Sequence, residues 1–228
     1  MPRGLSVVIP FRATTPERER SRAFVEDWLY RTLGDPDTVL ADDPGPDFNR
    51  GRALNAGAGA ATGDTLVFAD ADLVVPGDVL LGALRAVEAG AALVVPFSSV
   101  LGLGEAATEG VLSVGRPPWG PWDDSDIEYR WNRLSTGGIN VLRRTTFETA
   151  GGFDERFAGW GYEDAAFASA VETLVGPLEW LDGAAVHLWH PRDPTRRGDL
   201  PSVGRELVGR YSAAWGDAAA MKALIASR

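Results

Sequence analysis

The chain has 228 residues, of which 45% are apolar and 24% charged, so it is long enough to bury the core of one large domain and too apolar to be mostly disordered. Its net charge of −10 argues against nucleic acid as the main partner, because phosphate contacts need lysine and arginine. The absence of cysteine excludes disulfides and thiolate metal sites. No apolar run approaches the ~18 residues of a membrane span, so the sequence predicts a soluble, cytoplasmic protein.

The first part of the chain alternates strand and helix patterns. Strands are predicted at residues 5–9, 38–40, 65–69 and 91–96, and helices from the start signal Thr15-Pro16-Glu17, at 49–61 and at 76–89. This order predicts an α/β fold in which a mostly parallel sheet carries helices on both faces. Ligands of such folds gather at the carboxyl ends of the strands.

The pattern weakens over residues 98–126, which are rich in glycine and proline and favour either an acceptor-side loop or a surface excursion. Beyond them the sequence predicts a strand at 139–142, helices at 145–150 and 163–174, extended chain at 178–190 and a final helix at about 204–227. No repeat or long linker divides the chain, so residues 1–228 are expected to form one domain.

Two aspartates, Asp70 and Asp72, follow an apolar strand at its end. Side chains two apart in extended chain point the same way, so both can face one ligand. Mg²⁺ and Mn²⁺ prefer carboxylate and phosphate oxygens, and a cation bound there would neutralise a diphosphate leaving group. The competing interpretation is a solvated polar strand end.

The two histidines of the chain, His187 and His190, are three residues apart in the segment predicted to be extended. Such residues can converge on one ion if the chain bends near Pro191, and mixed histidine and carboxylate shells occur. Spacing alone would favour one packed and one surface histidine. Together with the aspartate pair, the spacing favours metal ligation.

Glu163 and Asp164 stand at the start of a predicted helix, where carboxylates are stabilised, and one of them could accept a proton from a sugar hydroxyl. They could equally be ordinary helix-start acids. Just before them, Trp160 lies between two glycines, which expose the indole so that its face can stack on a sugar ring.

Candidate nucleotide contacts come earlier in the chain. Phe48 could lie against a base, and Arg50 or Arg52 could pair with a phosphate. Arg12, after the first strand, is a further candidate.

Several segments together resemble the β-1,4-galactosyltransferase family and related polypeptide GalNAc-transferase and chondroitin polymerase-type domains, which have the GT-A fold. The matching segments are residues 9–12, 48–50 with 54–55, the Asp-x-Asp-Leu of 70–73, 137–138, 151–153 and the Gly-Trp-Gly-Tyr-Glu-Asp of 159–164. They span about positions 5–193, so the resemblance implies a single GT-A domain. Its nucleotide-binding half would be residues 1–97, and its acceptor and catalytic half residues 98–228.

The resemblance also implies roles. Asp72 would ligate Mn²⁺, with Mg²⁺ as an alternative ion, Asp164 would be the catalytic base, and Glu163 would bind donor or acceptor sugar. A carboxylate rather than asparagine at position 164 favours displacement with inversion. The residues expected to bind donor or acceptor are Pro10, Phe11, Arg12, Asp42, Phe48, Arg50, Asp70, Gly138, Trp160 and Gly161.

In the family, a methionine and a histidine three residues apart ligate the metal. Here His187 takes the methionine position and His190 keeps the histidine, which implies an altered metal preference. The family's mobile lid would map to about residues 191–204. Residues 98–126 have no counterpart and are expected to help set acceptor choice.

The sequence therefore predicts a metal-dependent inverting glycosyltransferase that moves galactose or N-acetylgalactosamine from a UDP-sugar donor to a hydroxyl of a carbohydrate or glycoconjugate acceptor. A retaining transferase of the same fold is the enzymatic alternative. A non-catalytic sugar-nucleotide-binding subunit is the alternative of another class. A nucleotidyltransferase is disfavoured, because no glycine-rich first loop is followed by arginine and lysine.

Overall fold

The computed structural model of the chain describes residues 4–157, 161–191 and 202–228, the last range without the side chains of residues 202 and 203. The strands are β1 (Leu5–Pro10), β2 (Asp37–Ala41), β3 (Thr65–Ala69), β4 (Leu73–Val74), β5 (Leu93–Val95), β6 (Ser99–Leu103), β7 (Ile127–Trp131), β8 (Ile139–Arg143), β9 (Leu178–Trp180) and β10 (Ala184–His187). The helices are α1 (Pro16–Leu33), α2 (Arg50–Ala60), α3 (Gly77–Glu88), α4 (Glu105–Val114), α5 (Arg144–Thr149), α6 (Glu163–Leu174), α7 (Ser202–Ala214) and α8 (Ala218–Ala226).

The main sheet has the strand order β2-β1-β3-β8-β5-β9. Strands β1, β2 and β3 are parallel, as are β5 and β9, whereas β8 runs antiparallel to both of its neighbours. The prediction of a mostly parallel α/β sheet is confirmed. The one antiparallel strand comes from the second half of the chain and separates β3 from β5, which the simple alternation of strands and helices did not predict.

A second sheet has the strand order β4-β10-β6-β7, and the short strand that follows the two aspartates forms one of its edges. β10 runs antiparallel to β4, with His187 opposite Leu73, and parallel to β6, with His187 opposite Gly102. This pairing brings the histidine segment to the aspartate pair across more than one hundred residues of sequence.

The predicted start of α1 is confirmed in detail. Thr15 is the N-cap and its side chain accepts from the backbone N–H of Arg18, with Pro16 as the first helical residue. Gly34 ends the helix in the left-handed conformation, where its N–H donates to the carbonyl of Tyr30.

Four phenylalanines hold α6 against the main sheet. Phe153 stacks on Phe167 of α6, with ring centroids 4.4 Å apart, and meets Phe68 of β3 edge to face at 5.4 Å. Phe147 contacts all three rings. Aromatic pairs of this kind bury large apolar areas. The cluster therefore places the first turn of α6 beside the end of β3.

Two predictions were wrong. Residues 98–126 contain the strand β6 and the ten-residue helix α4. Gly104 is the N-cap of α4 and the left-handed Gly115 ends it. The glycines that suggested a loop therefore mark the two ends of a helix. The final segment forms two helices instead of one. Gly216, with φ of 79°, breaks it, and Asp217 then caps α8 by accepting from the backbone N–H groups of Ala219 and Ala220.

Within the described residues, no helix has both the length and the apolar character needed to cross a membrane.

Candidate active site

The two aspartates after β3 are held by different parts of the fold. The backbone N–H of Asp70 donates to the carbonyl of Gly138 at 2.8 Å, and the carbonyl of Asp72 accepts from the N–H of Leu188 at 2.8 Å. Asp70 is thereby tied to the start of β8, and Asp72 to the segment after β10. Each carboxylate belongs to a separate cluster of side chains.

The first cluster, here called the histidine cluster, consists of Asp72, His187 and His190. The Nε2 atoms of His187 and His190 lie 3.6 and 3.3 Å from the two carboxylate oxygens of Asp72. All three residues offer ligand atoms within 4.8 Å of one another. Neighbouring ligands on an octahedral ion with bonds of about 2.1 Å lie roughly 3 Å apart, so this donor set fits one divalent cation.

The orientation of His190 also suits a metal ligand. Its Nδ1 lies 3.0 Å from the carbonyl of Pro191. A carbonyl can only accept, so Nδ1 carries the proton, and Nε2, which faces Asp72, is the atom that would bind a metal. Metal-binding histidines usually make this second hydrogen bond, which fixes the ring and its tautomer.

Asp72 lies almost entirely out of solvent, at 8% exposure. Burial, the largest influence, would raise its pKa, but His187 and His190, together with Arg18, more than offset it and lower the pKa. The carboxylate is therefore held in the charged form that binds cations.

A glycine, Gly102, leaves room for an aromatic ring to pack beside His187. Tyr129 of β7, Gly102 of β6 and His187 of β10 stand in one cross-strand row. A Cβ atom at Gly102 would overlap the ring of Tyr129, so that ring covers the glycine and its centroid lies 6.0 Å from that of His187. The glycine thus lets a tyrosine from the next strand pack beside the histidine.

The second cluster, here called the arginine cluster, consists of Arg50, Asp70, Glu163 and Asp164. The guanidinium of Arg50 donates to Oδ1 of Asp70 at 2.8 and 3.0 Å and to Oδ1 of Asp164 at 2.8 Å, and it lies 3.4 Å from Oε1 of Glu163. One cation thus joins β3, α2 and the first turn of α6, and its pKa is raised well above the ordinary value despite its burial.

Asp164 is electrostatically unlike Asp72. Burial, the largest influence, raises its pKa, as do the nearby carboxylates of Glu163 and Asp70, and Arg50 offsets only part of this, so that the pKa is about 7. A carboxyl group with such a pKa can exchange a proton near neutral pH. Glu163 is 5% exposed, and its Oε2 is buried without a hydrogen-bond partner among the described residues.

Two glycines let the chain pass close to this carboxylate. A Cβ atom at Gly137 would lie 2.5 Å from Oδ2 of Asp164, and one at Gly138, whose φ is 102°, would lie 2.5 Å from Leu73. A larger side chain at either position would push the start of β8 away from both clusters.

Some of the residues predicted to bind the nucleotide lie together at the carboxyl ends of β1 and β2, whereas Arg50 lies in the arginine cluster. Arg12 Nε donates to Asp42 at 3.0 Å, and its guanidinium lies 5.5 Å from the ring centroid of Phe48. Phe11, Arg12 and Asp42 line a shallow depression of about 330 Å³. Pro10 and the side chain of Phe11 are buried, so these two residues offer little side-chain surface to a ligand.

Asp43 positions the neighbouring segment. Its fully buried carboxylate accepts from the backbone N–H groups of Asn49 and Gly45 and from Arg52, whose Nη1 is 3.0 Å away. Asn49 in turn caps α2 through a bond from the N–H of Arg52. These bonds fix the first turn of α2, on which Arg50 stands, and they give Arg52 a structural partner.

Asp154, which ends the Gly-Gly-Phe-Asp segment, anchors the C-terminal helices. Its buried carboxylate accepts from Tyr211 at 2.8 Å and from Arg156 at 2.7 Å. Arg228 donates to the same tyrosine hydroxyl, and mainly because of its burial, the pKa of Tyr211 rises to about 12. Asp154 therefore holds α7 against the segment that leads to α6.

Some predicted features lie outside the described residues, namely Trp160 and most of the expected lid. Gly161, which follows Trp160, has a φ of 101°, and Tyr162 has a φ of 73° before α6 begins. This left-handed pair turns the chain so that Glu163 and Asp164 occupy the first helical turn.

The sequence did not point to three residues that meet these clusters: Arg18, Gly102 and Tyr129. Arg18 is one of several arginines on α1 and carries no local signal. Gly102 lies on β6, within the segment predicted to be a loop or a surface excursion. Tyr129 lies on β7, a strand that the sequence did not predict. The strand pairing needed to find them is a long-range property.

Known structures with the same fold were found. The catalytic domain of Drosophila β1,4-galactosyltransferase 7 in complex with xylobiose has a TM-score of 0.59 at 17% identity, covering 89% of this chain and 79% of that domain. A mutant of that enzyme in complex with manganese, UDP-Gal and xylobiose gives 0.58 at the same identity and coverage. Glucosyl-3-phosphoglycerate synthase from Mycobacterium tuberculosis, in complex with Mn²⁺, UDP-glucose and phosphoglyceric acid, gives 0.51 at 17% identity, covering 94% and 80%. At such identities the likeness establishes the fold, which is GT-A, as the sequence predicted.

Sequence comparison supplies the family. A search of curated proteins found no significant match. The profile described as the N-terminal domain of galactosyltransferase matches residues 122–185, and that of glycosyl transferase family 2 matches residues 20–144. Because the second match covers more than half of the chain, the protein belongs to glycosyl transferase family 2 and is a glycosyltransferase with the GT-A fold.

Proposed function

We propose that the protein is a metal-dependent inverting glycosyltransferase that moves a hexose from a UDP-sugar to a hydroxyl of a carbohydrate or glycoconjugate acceptor. One observation carries the proposal. The Asp-x-Asp segment contributes one aspartate to a cluster suited to a divalent cation and the other to a cluster that contains a buried carboxyl with a pKa of about 7. The two groups that such a transfer needs, a bound cation and a proton-accepting carboxylate, would therefore lie on either side of the Asp-x-Asp turn.

Asp72, His187 and His190 are the proposed ligands of Mn²⁺. When bound, the ion would neutralise the charge that develops on the departing UDP. Two imidazoles suit Mn²⁺ better than Mg²⁺, which prefers oxygen ligands and water. Structures of the Drosophila galactosyltransferase and of the mycobacterial synthase each contain this metal and a UDP-sugar, which supports the assignment.

Asp164 is the proposed base. Its carboxylate would take the proton of the acceptor hydroxyl while that oxygen attacks the anomeric carbon from the side opposite UDP, which inverts the configuration. A pKa of about 7 leaves the group strong enough to take a proton and largely ionised just above neutrality. The unpartnered Oε2 of Glu163 is the proposed acceptor of a hydrogen bond from a sugar hydroxyl.

The nucleotide would lie at the edge formed by Pro10, Phe11, Arg12, Asp42 and Phe48. Asp70 and Arg50 would lie between the nucleotide and the reacting sugar, and Gly138 and Gly161 would let the chain approach that sugar closely. Trp160 would contact both substrates, and residues 191–204 would close over the donor and exclude water. Galactose and N-acetylgalactosamine remain the proposed donor sugars, by resemblance.

The direct test is UDP release from a panel of UDP-sugars, with Mn²⁺ and with EDTA. Slow hydrolysis needs no acceptor, so metal-dependent release from one donor is expected and would identify the sugar. Binding of UDP without release from any donor would favour a non-catalytic subunit. Once an acceptor is found, the anomeric configuration of the product, read by NMR, would distinguish inversion from retention.

A further inference from the structure

Arg18, in the first turn of α1, directs its guanidinium into the histidine cluster. Its Nη2 lies 3.8 Å from Oδ2 of Asp72, and its Nη1 lies 3.5 Å from Nε2 of His190. The side chain is 22% exposed. Within the described parts of the chain, no carboxylate other than that of Asp72 lies within ion-pair distance of Arg18. A permanent positive charge therefore stands beside two of the three proposed ligands, Asp72 and His190.

The atoms that Arg18 approaches are those that a cation would use. The Nδ1–H of His190 is directed to Pro191, so in the neutral ring Nε2 is the atom that can accept from Arg18 or bind a metal. The nearby carboxylate oxygen of Asp72 has the same two choices. A guanidinium and a divalent cation only a few ångströms apart repel each other strongly in a site with little solvent. Arg18 in this position and the metal are therefore alternatives.

We propose that Arg18 takes the place of the cation in the nucleotide-free protein and turns to bind a phosphate oxygen of the diphosphate when metal and nucleotide enter. This inference rests on the proposed function. Guanidinium recognises phosphate through paired N–H donors, and its flexible stem allows the group to move while the backbone of α1 stays fixed. Arg18 then weakens the binding of metal alone and strengthens that of metal with nucleotide. Arg18 thereby favours binding of the metal together with the nucleotide over binding of the metal alone.

The test uses three variants: Arg18→Gln, Arg18→Lys and, as matched control, Arg20→Gln. Arg20 stands two residues further along the same helix and pairs with Glu109 at 2.8 Å on the exposed surface, so its removal changes the net charge equally. Mn²⁺ binding to the nucleotide-free proteins is measured from the electron paramagnetic resonance signal of free Mn²⁺. UDP binding at saturating Mn²⁺ is measured by calorimetry. Thermal unfolding confirms that each variant is folded.

The affinities for Mn²⁺ and for UDP are expected to change in opposite directions. Arg18→Gln should bind Mn²⁺ about tenfold more tightly than the wild type, the effect one neighbouring charge commonly has on an ionic equilibrium. Its affinity for UDP should fall about tenfold or more, because a charge-assisted hydrogen bond is lost. Arg18→Lys should recover part of both properties, and Arg20→Gln should match the wild type.

Weaker Mn²⁺ binding by Arg18→Gln would overturn the inference, because Arg18 would then support the ligands. Unchanged UDP binding would overturn it too, because Arg18 would not reach the diphosphate. Either failure leaves the proposed function standing if wild-type protein still binds UDP in a Mn²⁺-dependent way. If wild-type protein does not, the proposed function fails, and the inference fails with it.

Discussion

The histidine cluster and the arginine cluster lie on either side of one Asp-x-Asp turn and have opposite electrostatics. In the first, three cationic or cation-binding side chains surround Asp72 and lower its pKa. In the second, three carboxylates surround the single cation Arg50, and the pKa of Asp164 rises to about 7. Both carboxylates are largely buried, so burial alone does not set the pKa of a carboxylate in this site. The balance of its neighbours suits one carboxylate to the proposed role of metal ligand and the other to the proposed role of base.

The largest expected effect follows from replacing the base. Asp164→Asn keeps the shape of the side chain but cannot take a proton, so turnover should fall by about 10²–10⁴-fold. Metal-dependent UDP binding should stay within a few-fold of wild type, because Asp164 belongs to the other cluster. Initial rates and calorimetric titration with UDP measure the two quantities.

Asp124→Asn is the control for that experiment, since it removes a fully exposed carboxylate that pairs with Arg130 on the surface. An Asp164→Asn variant that turns over at the wild-type rate would show that Asp164 is not the base.

Removal of a proposed ligand comes next. His190→Ala should weaken Mn²⁺ binding by at least about tenfold and leave the pKa of Asp164 near 7, because the two clusters share no side chain. His187→Met should keep much of the Mn²⁺ affinity, since the resembled family has methionine at this position. Manganese titration measures the affinities, and equal losses in both variants would contradict the different expectations for the two positions.

The activity should depend on pH through the protonation of Asp164. Asp164 faces Arg50 from α2, Asp70 from the end of β3 and Glu163 from its own helix, and its raised pKa means that it is protonated and inactive below about pH 7. kcat/KM should therefore rise about tenfold per pH unit up to that region and level off above it.

The variant Glu163→Gln should move this inflection to lower pH, because it removes a negative neighbour that raises the pKa. An inflection that stays in place in Glu163→Gln would show that the titration belongs to another group. Rates over pH 5–9 at constant ionic strength test both statements.

The mildest change in Mn²⁺ binding is expected from moving the ring of Tyr129 that packs beside His187. Gly102→Ala would force the ring of Tyr129 away from the histidine and should weaken Mn²⁺ binding several-fold with little change in turnover at saturating metal. Gly59→Ala on α2 is the matched control, because an added Cβ there contacts nothing within 4 Å. Equal affinities for both variants would mean that Tyr129 does not position His187.

Local signals in the sequence predicted much of the molecule. The cap at Thr15, the buried strand 65–69 and the start of α6 at Glu163 depend on neighbouring residues, and the structure has all three. β8 within the main sheet, β7, and the break at Gly216 depend on long-range pairing or on one glycine in a helical pattern. Arg18 and Tyr129 reach the histidine cluster only through tertiary packing, so no local pattern could have found them.

The proposed roles divide the work between the two clusters, with metal-dependent nucleotide binding in one and proton transfer in the other. The most direct test is calorimetric titration of UDP, with Mn²⁺ and with EDTA, against Asp72→Asn and Asp164→Asn. We expect Asp72→Asn to lose the metal-dependent part of UDP binding and Asp164→Asn to retain it while losing turnover. Retention of metal-dependent binding by Asp72→Asn, or its loss in Asp164→Asn, would contradict the division.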